Sequence, residues 1–172
     1  MNKAIFLDRD GVLNYNSGYP FRTSDFRLID GVAETLREAQ LNGYHLYIVT
    51  NQSAIARGFC TLDQVKIFNQ FLINELSKHQ VMINGLKFCP HHPEAQVKEY
   101  RMSCNCRKPN PGMIEELCEL HSIEPGLSFM IGDSETDVSA GKAAKLKESF
   151  LIPSNKAGAL ENCITNILQY TN

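Results

Sequence analysis

Asp8-Arg9-Asp10-Gly11 follows the apolar run Ile5-Phe6-Leu7, so two carboxylates stand two residues apart where a strand ends. That arrangement suits a divalent cation. One Asp can bind the metal and attack phosphorus, while the other handles the proton of the leaving oxygen. Alone, the same residues fit an ordinary turn of Asp and Gly equally well. Gly132-Asp133, after another apolar run, shifts the balance by offering a third carboxylate, and Asp137 can support it from behind. Their plain alternatives are a helix N-cap at Asp133 and a solvated first-turn acid at Asp137. Phosphoryl transfer also needs donors for the equatorial oxygens, available from Thr50 with the following backbone amides and from Lys108. Singly, Thr50 reads as a strand-end turn residue and Lys108 as an exposed cation. The order of all four pieces along the chain points to phosphoryl chemistry.

A second cluster is Cys89-x-His91, a gap of twelve residues, then Cys104-x-Cys106. Three thiols and an imidazole in one loop suit tetrahedral Zn2+, with His92 as a rival to His91 that spacing does not separate. Four protein ligands leave no open position, so the expected role is structural. The metal would hold Arg107 and Lys108, which come immediately after the last ligand. Cys60, Cys118 and Cys163 are scattered and expected as semi-buried thiols.

These residues need a scaffold, and 172 residues suffice for one domain, 1–172, with a central sheet and flanking helices. Hydrophobic residues at 43% and charged residues at 21% exclude a disordered chain. A net charge of −2 with no basic run argues against nucleic-acid and membrane partners. No stretch approaches the ~20 apolar residues of a membrane span, so a cytoplasmic protein is expected, acting as a monomer. About five apolar runs of strand length (Ala4 to Leu7, His45 to Val49, Leu86 to Phe88, Leu127 to Ile131, Ser149 to Ile152) alternate with helical periodicity. This alternation predicts an α/β fold with a mainly parallel sheet between helices. Val32, Leu36 and Ala39 mark a helix that Gly43 closes, and Thr61-Leu-Asp-Gln64 opens the next with a capping box. Pro111 starts a helix whose apolar face is Ile114, Leu117 and Leu120, and a last helix runs around Ala157 to Gln169. Ligands of such sheets sit beyond the carboxyl ends of the strands, where Asp8, Thr50, Cys89 and Asp133 all fall.

The segments Phe6-Leu-Asp-Arg-Asp-Gly-Val12, Val49-Thr-Asn51, Arg107-Lys-Pro109 and Ile131-Gly-Asp-Ser-Glu-Thr-Asp137 resemble the four motifs of the haloacid-dehalogenase (HAD) phosphohydrolase superfamily. The resemblance implies a Rossmann-like HAD fold without a separate cap domain, the site being covered by short loops such as residues 14–25. It implies Asp8 as nucleophile, Asp10 as acid/base, Thr50 and Lys108 as phosphoryl stabilisers, and Mg2+ held by Asp8, the Asp10 carbonyl and Asp133. The zinc-binding loop narrows the match to the branch of histidinol-phosphate and heptose bisphosphate phosphatases. Thr50 to Gly58, Cys89-Pro-His-His-Pro93 and Cys104 to Met113 favour the heptose side, although Ala54 stands where that family usually has Gly. The resemblance implies Cys89, His91, Cys104 and Cys106 as the zinc ligands. Asn16, Ser17, Gly18, Tyr19, Asn51, Gln52, Ser53, Arg107 and Ser134 are then expected at a sugar bisphosphate. The implied reaction is Mg2+-dependent removal of the 7-phosphate of a heptose 1,7-bisphosphate through an aspartyl-phosphate. Histidinol-phosphate hydrolysis and a non-catalytic zinc-stabilised module are the alternatives.

Overall fold

The computed structural model describes residues 2–170. Five strands, β1 (Ala4–Leu7), β2 (His45–Asn51), β3 (Gly85–Cys89), β4 (Phe129–Gly132) and β5 (Glu148–Leu151), form one sheet in the order β3-β2-β1-β4-β5. Every pairing is parallel, so the mainly parallel sheet expected from the sequence is entirely so. Pleating sends Ile5 and Leu7, Leu46 and Ile48, and Phe129 and Ile131 to one face. There they pack against α1 (Val32–Leu41), α2 (Leu62–Lys78) and α5 (Ala159–Tyr170). Ala4, Phe6, Tyr47, Val49 and Met130 point the other way, under α3 (Gly112–His121) and α4 (Glu135–Ala143). With both faces covered, β1 is buried throughout, which is why its sequence is a continuous apolar run.

Local signals end the helices where the sequence places them. Asn42 caps α1, and Gly43 follows with φ +82°, a left-handed conformation that costs a residue without a side chain little. Thr61 and Gln64 exchange the two bonds of the capping box at the start of α2.

The structure corrects two expectations. Strand β4 begins at Phe129, because Pro125–Leu127 winds into a 3-10 turn that leaves Leu127 48% exposed. Leu120 does not join the apolar face of α3 and is 67% exposed. One residue on, His121 continues that face, its ring 5.1 Å from the ring of Tyr47.

The order of strands reverses between β1 and β4, the switch point where open α/β sheets bind ligands. Two long connections pass over that rim, residues 8–31 after β1 and residues 90–111 after β3. Among the described residues neither carries a further sheet or helical layer, and no helix is long and apolar enough to cross a membrane.

Gly132 ends β4 tightly against α4, where a Cβ would overlap the Asp137 side chain. Gly132→Ala is expected to cost ~1–3 kcal/mol, the usual penalty of overpacking, read as a lowered Tm. Gly126→Ala, whose Cβ meets only Glu124 at 3.5 Å, serves as the control and should stay within ~0.5 kcal/mol of the parent.

Candidate active site and metal centre

The carboxyl ends of β1, β2 and β4 surround a cavity of about 350 Å³ lined by Asp8, Asp10, Thr50, Lys108, Asp133 and Asp137, with Asn16, Gly18, Tyr19, Asn51, Gln52, Ser134 and Thr136 around them. Lys108 is at its centre. Its Nζ lies 2.9 Å from Asp8 Oδ1 and 2.5 Å from Asp137 Oδ1, and it donates to the Val49 carbonyl at 2.6 Å. This lysine is buried, so the reading of an exposed cation is wrong. Burial alone would lower its pKa, but the charges of Asp8 and Asp137 outweigh it and hold the ammonium above its ordinary value. Asn51 fixes the Lys108 backbone from both sides, donating to its carbonyl and accepting from its amide, each at 3.0 Å. Both polar groups of the Asn51 side chain are therefore occupied by protein, although the residue lines the cavity.

Asp137 is equally unlike a solvated acid. It is buried, and its Oδ2 accepts the Ser134 amide at 3.0 Å in a capping box that starts α4. Ser134 is therefore the N-cap and Asp133 is released from that role. Burial raises the Asp133 carboxyl above its usual range, against a hydrogen bond from Ser154. Burial also pushes Asp8 up to about 6 against the pull of Lys108, and the charge of Asp137 adds to the rise.

Asp10 is held on both oxygens. Arg9 donates from Nε to Oδ1 at 2.9 Å and from Nη2 to Oδ2 at 2.8 Å, while Asn14 and Gln52 add bonds at 2.9 and 3.0 Å. The same Gln52 nitrogen reaches the Thr50 hydroxyl at 3.0 Å, linking the two residues. The sequence reading passed over Arg9, which is 0% exposed. Besides Asp10 it binds Asn69 of α2 and the Pro20 carbonyl, and its guanidinium lies 4.4 Å from the Phe68 ring centroid. A cation inserted between two acids directly after a buried strand was the available signal.

Asn155 was missed as well. It exchanges bonds with the main chain of Asn16 at 2.7 and 3.0 Å and so anchors the loop that bears Gly18 and Tyr19. Ser17, Ser53 and Arg107 lie outside the cavity lining.

Around this cavity the acids Asp8, Asp10, Asp133 and Asp137 outnumber the buried cations Lys108 and Arg9, an excess that a divalent cation can balance. Carboxylate oxygens of Asp8, Asp133 and Asp137 lie within 4.8 Å of one another. Both oxygens of Asp137 are already bonded, so Asp8 and Asp133 are the better donors. The Asp10 carboxylate, saturated by Arg9, Asn14 and Gln52, leaves only its carbonyl for such a role.

The sulfurs of Cys89, Cys104 and Cys106 approach within 2.9–3.5 Å of one another, and His91 Nδ1 lies 3.4 Å from Cys106 and 3.6 Å from Cys89. With Zn–S near 2.3 Å, a tetrahedron has edges of about 3.8 Å, so a small shift admits the ion. His92 is turned away and its Nδ1 accepts the Glu94 amide at 3.1 Å, which separates the two histidines that spacing left equal. Burial holds the Cys89 thiol above its ordinary value, with Cys106 adding to the shift. At Cys104 burial acts upward but is outweighed by hydrogen bonds from Cys106 and Cys89, so its pKa is lowered.

Residues 105–161 match the family model described as HAD-hydrolase-like. The chain is 44% identical over 156 residues to the D-glycero-beta-D-manno-heptose-1,7-bisphosphate 7-phosphatase of Pasteurella multocida, covering 91% of this chain and 84% of that one. It is 40% identical to the enzyme of that name from Escherichia coli K12, covering 89% and 80%. Among solved structures, an HAD-like phosphatase from Mesorhizobium loti superposes with a TM-score of 0.88 at 27% identity, over 98% of this chain and 87% of that one. The D,D-heptose 1,7-bisphosphate phosphatase of B. bronchiseptica, solved with magnesium and phosphate, shares the fold with a TM-score of 0.83 at 23% identity, over 98% and 99%. Identity of this extent over most of both chains means that the chain belongs to the heptose-1,7-bisphosphate 7-phosphatase family of HAD hydrolases.

Proposed function

We propose that this chain, working as one phosphatase domain in the cytoplasm, removes the 7-phosphate of D-glycero-β-D-manno-heptose 1,7-bisphosphate. The observation that carries the reading is the convergence of Asp8, Thr50 and Lys108 on one cavity beside an excess of carboxylate. The β-anomer, which the sequence leaves open, is taken from the names of the relatives. The gathering of Asp8, Asp10, Thr50, Lys108 and Asp133 around one cavity favours catalysis over a non-catalytic module, and nothing in the cavity favours an imidazole-bearing substrate.

In this reading Lys108 holds Asp8 by one oxygen, and among the described residues no side-chain donor occupies the other. That oxygen attacks phosphorus, the bond from phosphorus to the sugar oxygen breaks, and Asp10 gives the departing alkoxide a proton. Water then attacks the aspartyl-phosphate and loses a proton to Asp10, and cleavage of the bond to Asp8 releases phosphate. Asp10 must yield at least one of its four hydrogen bonds to do this, and Gln52, shared with Thr50, is the contact nearest the reacting group. Lys108 and the Thr50 hydroxyl supply donors for the equatorial oxygens. Held by Asp8, the Asp10 carbonyl and Asp133, Mg2+ would add further neutralisation of the phosphoryl charge. Cys89, His91, Cys104 and Cys106 would hold a structural Zn2+. Arg107, next after Cys106, is tied by Nη1 to the His91 carbonyl at 3.1 Å and keeps the rest of its fork for the substrate.

Asp8→Asn should fold like the parent yet lose roughly three orders of magnitude or more in turnover, because an amide is neither a nucleophile nor a strong Mg2+ ligand. Near-parental phosphate release by a sample verified by mass would sink the assignment. Metal analysis of freshly purified, reduced protein should find a single zinc per chain that survives brief EDTA treatment, whereas activity lost to EDTA should return with Mg2+ alone. A zinc-free preparation of full thermal stability would remove the structural site. For Arg107→Ala, kcat/KM on the heptose bisphosphate should fall about tenfold or more beyond any fall on p-nitrophenyl phosphate. Equal losses on both would assign Arg107 to the transferred group instead.

A further inference from the structure

Arg9 stands between Asp8 and Asp10 in sequence, yet it lines no part of the cavity and takes no step in the scheme above. Its burial is complete. Taking a guanidinium out of water is costly, and only a nearly full set of acceptors offsets it. Nε and Nη2 bond the two oxygens of Asp10, Nη2 also donates to the Pro20 carbonyl at 3.1 Å, and Nη1 donates to Asn69 Oδ1 at 2.7 Å. The ring of Phe68 lies against the guanidinium face, 4.4 Å from centroid to carbon. This fork is held along its edges and on one face, so it is a rigid object.

Its partners come from three different parts of the support. Asp10 belongs to the turn after β1, Phe68 and Asn69 belong to α2, and Pro20 directly follows Tyr19, which lines the cavity with Gly18. Phe26, further along the same loop, packs edge-on against Phe68 and Phe71 at 5.9 and 5.4 Å, so α2 holds this loop a second time. Asn69 is the telling residue. A helix face that buries Val65, Phe68 and Leu72 has no packing need for an amide, and the Nδ2 of Asn69 is buried without a hydrogen-bond partner. What the amide adds, at that cost, is the acceptor for Arg9.

We propose that Arg9, braced by Asn69 of α2, is a positioning residue that holds the Asp10 carboxyl and the loop at Pro20 in one register, aiming the acid at the leaving oxygen of a substrate beside Gly18 and Tyr19. The inference rests on the acid/base role given to Asp10 above and deepens it. When the bond from Gln52 gives way, the two bonds from Arg9 keep the carboxyl aimed while it exchanges its proton. A planar fork fixes a carboxylate at two points and so fixes its rotation, which the point charge of a lysine does not. Because Arg9 acts through Asp10 and never meets the substrate, its effect must grow with the leaving group's need for a proton.

The test measures kcat/KM with Mg2+ on phenyl phosphates of graded leaving-group acidity, from p-nitrophenyl to p-methoxyphenyl, and on the heptose bisphosphate, for the parent, Asp10→Asn, Arg9→Lys and Asn69→Leu. Asp10→Asn sets the full signature, a loss that deepens as the phenol becomes less acidic. Arg9→Lys should show the same trend, losing about tenfold or more on p-methoxyphenyl phosphate beyond its loss on p-nitrophenyl phosphate, and at least as much on the sugar ester. Asn69→Leu removes an unpartnered donor and should melt close to the parent, yet steepen the trend by about threefold. A purely structural role would lower all the esters in parallel. Parallel losses in Asn69→Leu, or in a folded Arg9→Lys, would overturn the inference while leaving the phosphatase intact, and if Arg9→Lys does not fold, Asn69→Leu decides. An Asp10→Asn trend no steeper than the parent's would instead overturn the acid role on which the inference rests.

Discussion

A single buried ammonium organises the rim of this sheet. Lys108 reaches from the loop after β3 to Asp8 at the end of β1, to the Val49 carbonyl within β2 and to Asp137 in the first turn of α4. Removing a charge from water costs several kcal/mol, which only partners of opposite charge and good geometry offset. The cost favours the arrangement in which the three elements meet at the ammonium and satisfy it. Loss of the cation would leave Asp8 and Asp137 facing one another with their repulsion uncompensated, a defect of ~3–5 kcal/mol when one member of a buried pair is deleted. The residue that reads as phosphoryl stabiliser is therefore also a structural tie.

Lys108 arrives there at the end of a 22-residue connection with little regular structure, residues 90–111. Such a loop carries a large ordering entropy, and the protein restrains it at two places. Asn51 grips the Lys108 backbone with both ends of its amide. Just upstream, Cys104 and Cys106 converge on Cys89 and His91, the latter pair fixed by β3 and its continuation. A metal at that cluster would convert the loop into a short cross-link to the sheet. The two donor sets differ in kind, thiols and an imidazole in the loop and carboxylate oxygens in the cavity, so one cation would not suit both.

Arg9 plays a matching part beneath the acid. Strand periodicity sends Asp8 and Asp10 to the cavity side and Arg9 between them to the other, where Asn69, Phe68 and the Pro20 carbonyl receive it. It then turns back to hold both oxygens of Asp10. The acid/base candidate is consequently oriented by a residue that never lines the cavity, and Gln52 carries that orientation to Thr50.

The sequence by itself determined the α/β class, the five strands and the caps of α1 and α2, because each of these is encoded in short-range pattern, and it pointed to phosphoryl chemistry through the order of four such patterns along the chain. Apolar runs, capping boxes and acids at strand ends act over a few residues and survive whatever lies elsewhere. Only the tertiary structure decided that Lys108 is buried, that Asp137 is its partner and not a solvated acid, that Ser134 and not Asp133 caps α4, and that His91 and not His92 faces the thiols. Those outcomes depend on which groups the folded chain leaves without water. The same reason hid Arg9, whose role comes from partners such as Asn69 that are distant in sequence, and it leaves Leu120 exposed while His121 makes the contact with Tyr47. A local pattern specifies what a residue can do, and desolvation by distant neighbours decides which of those options it takes.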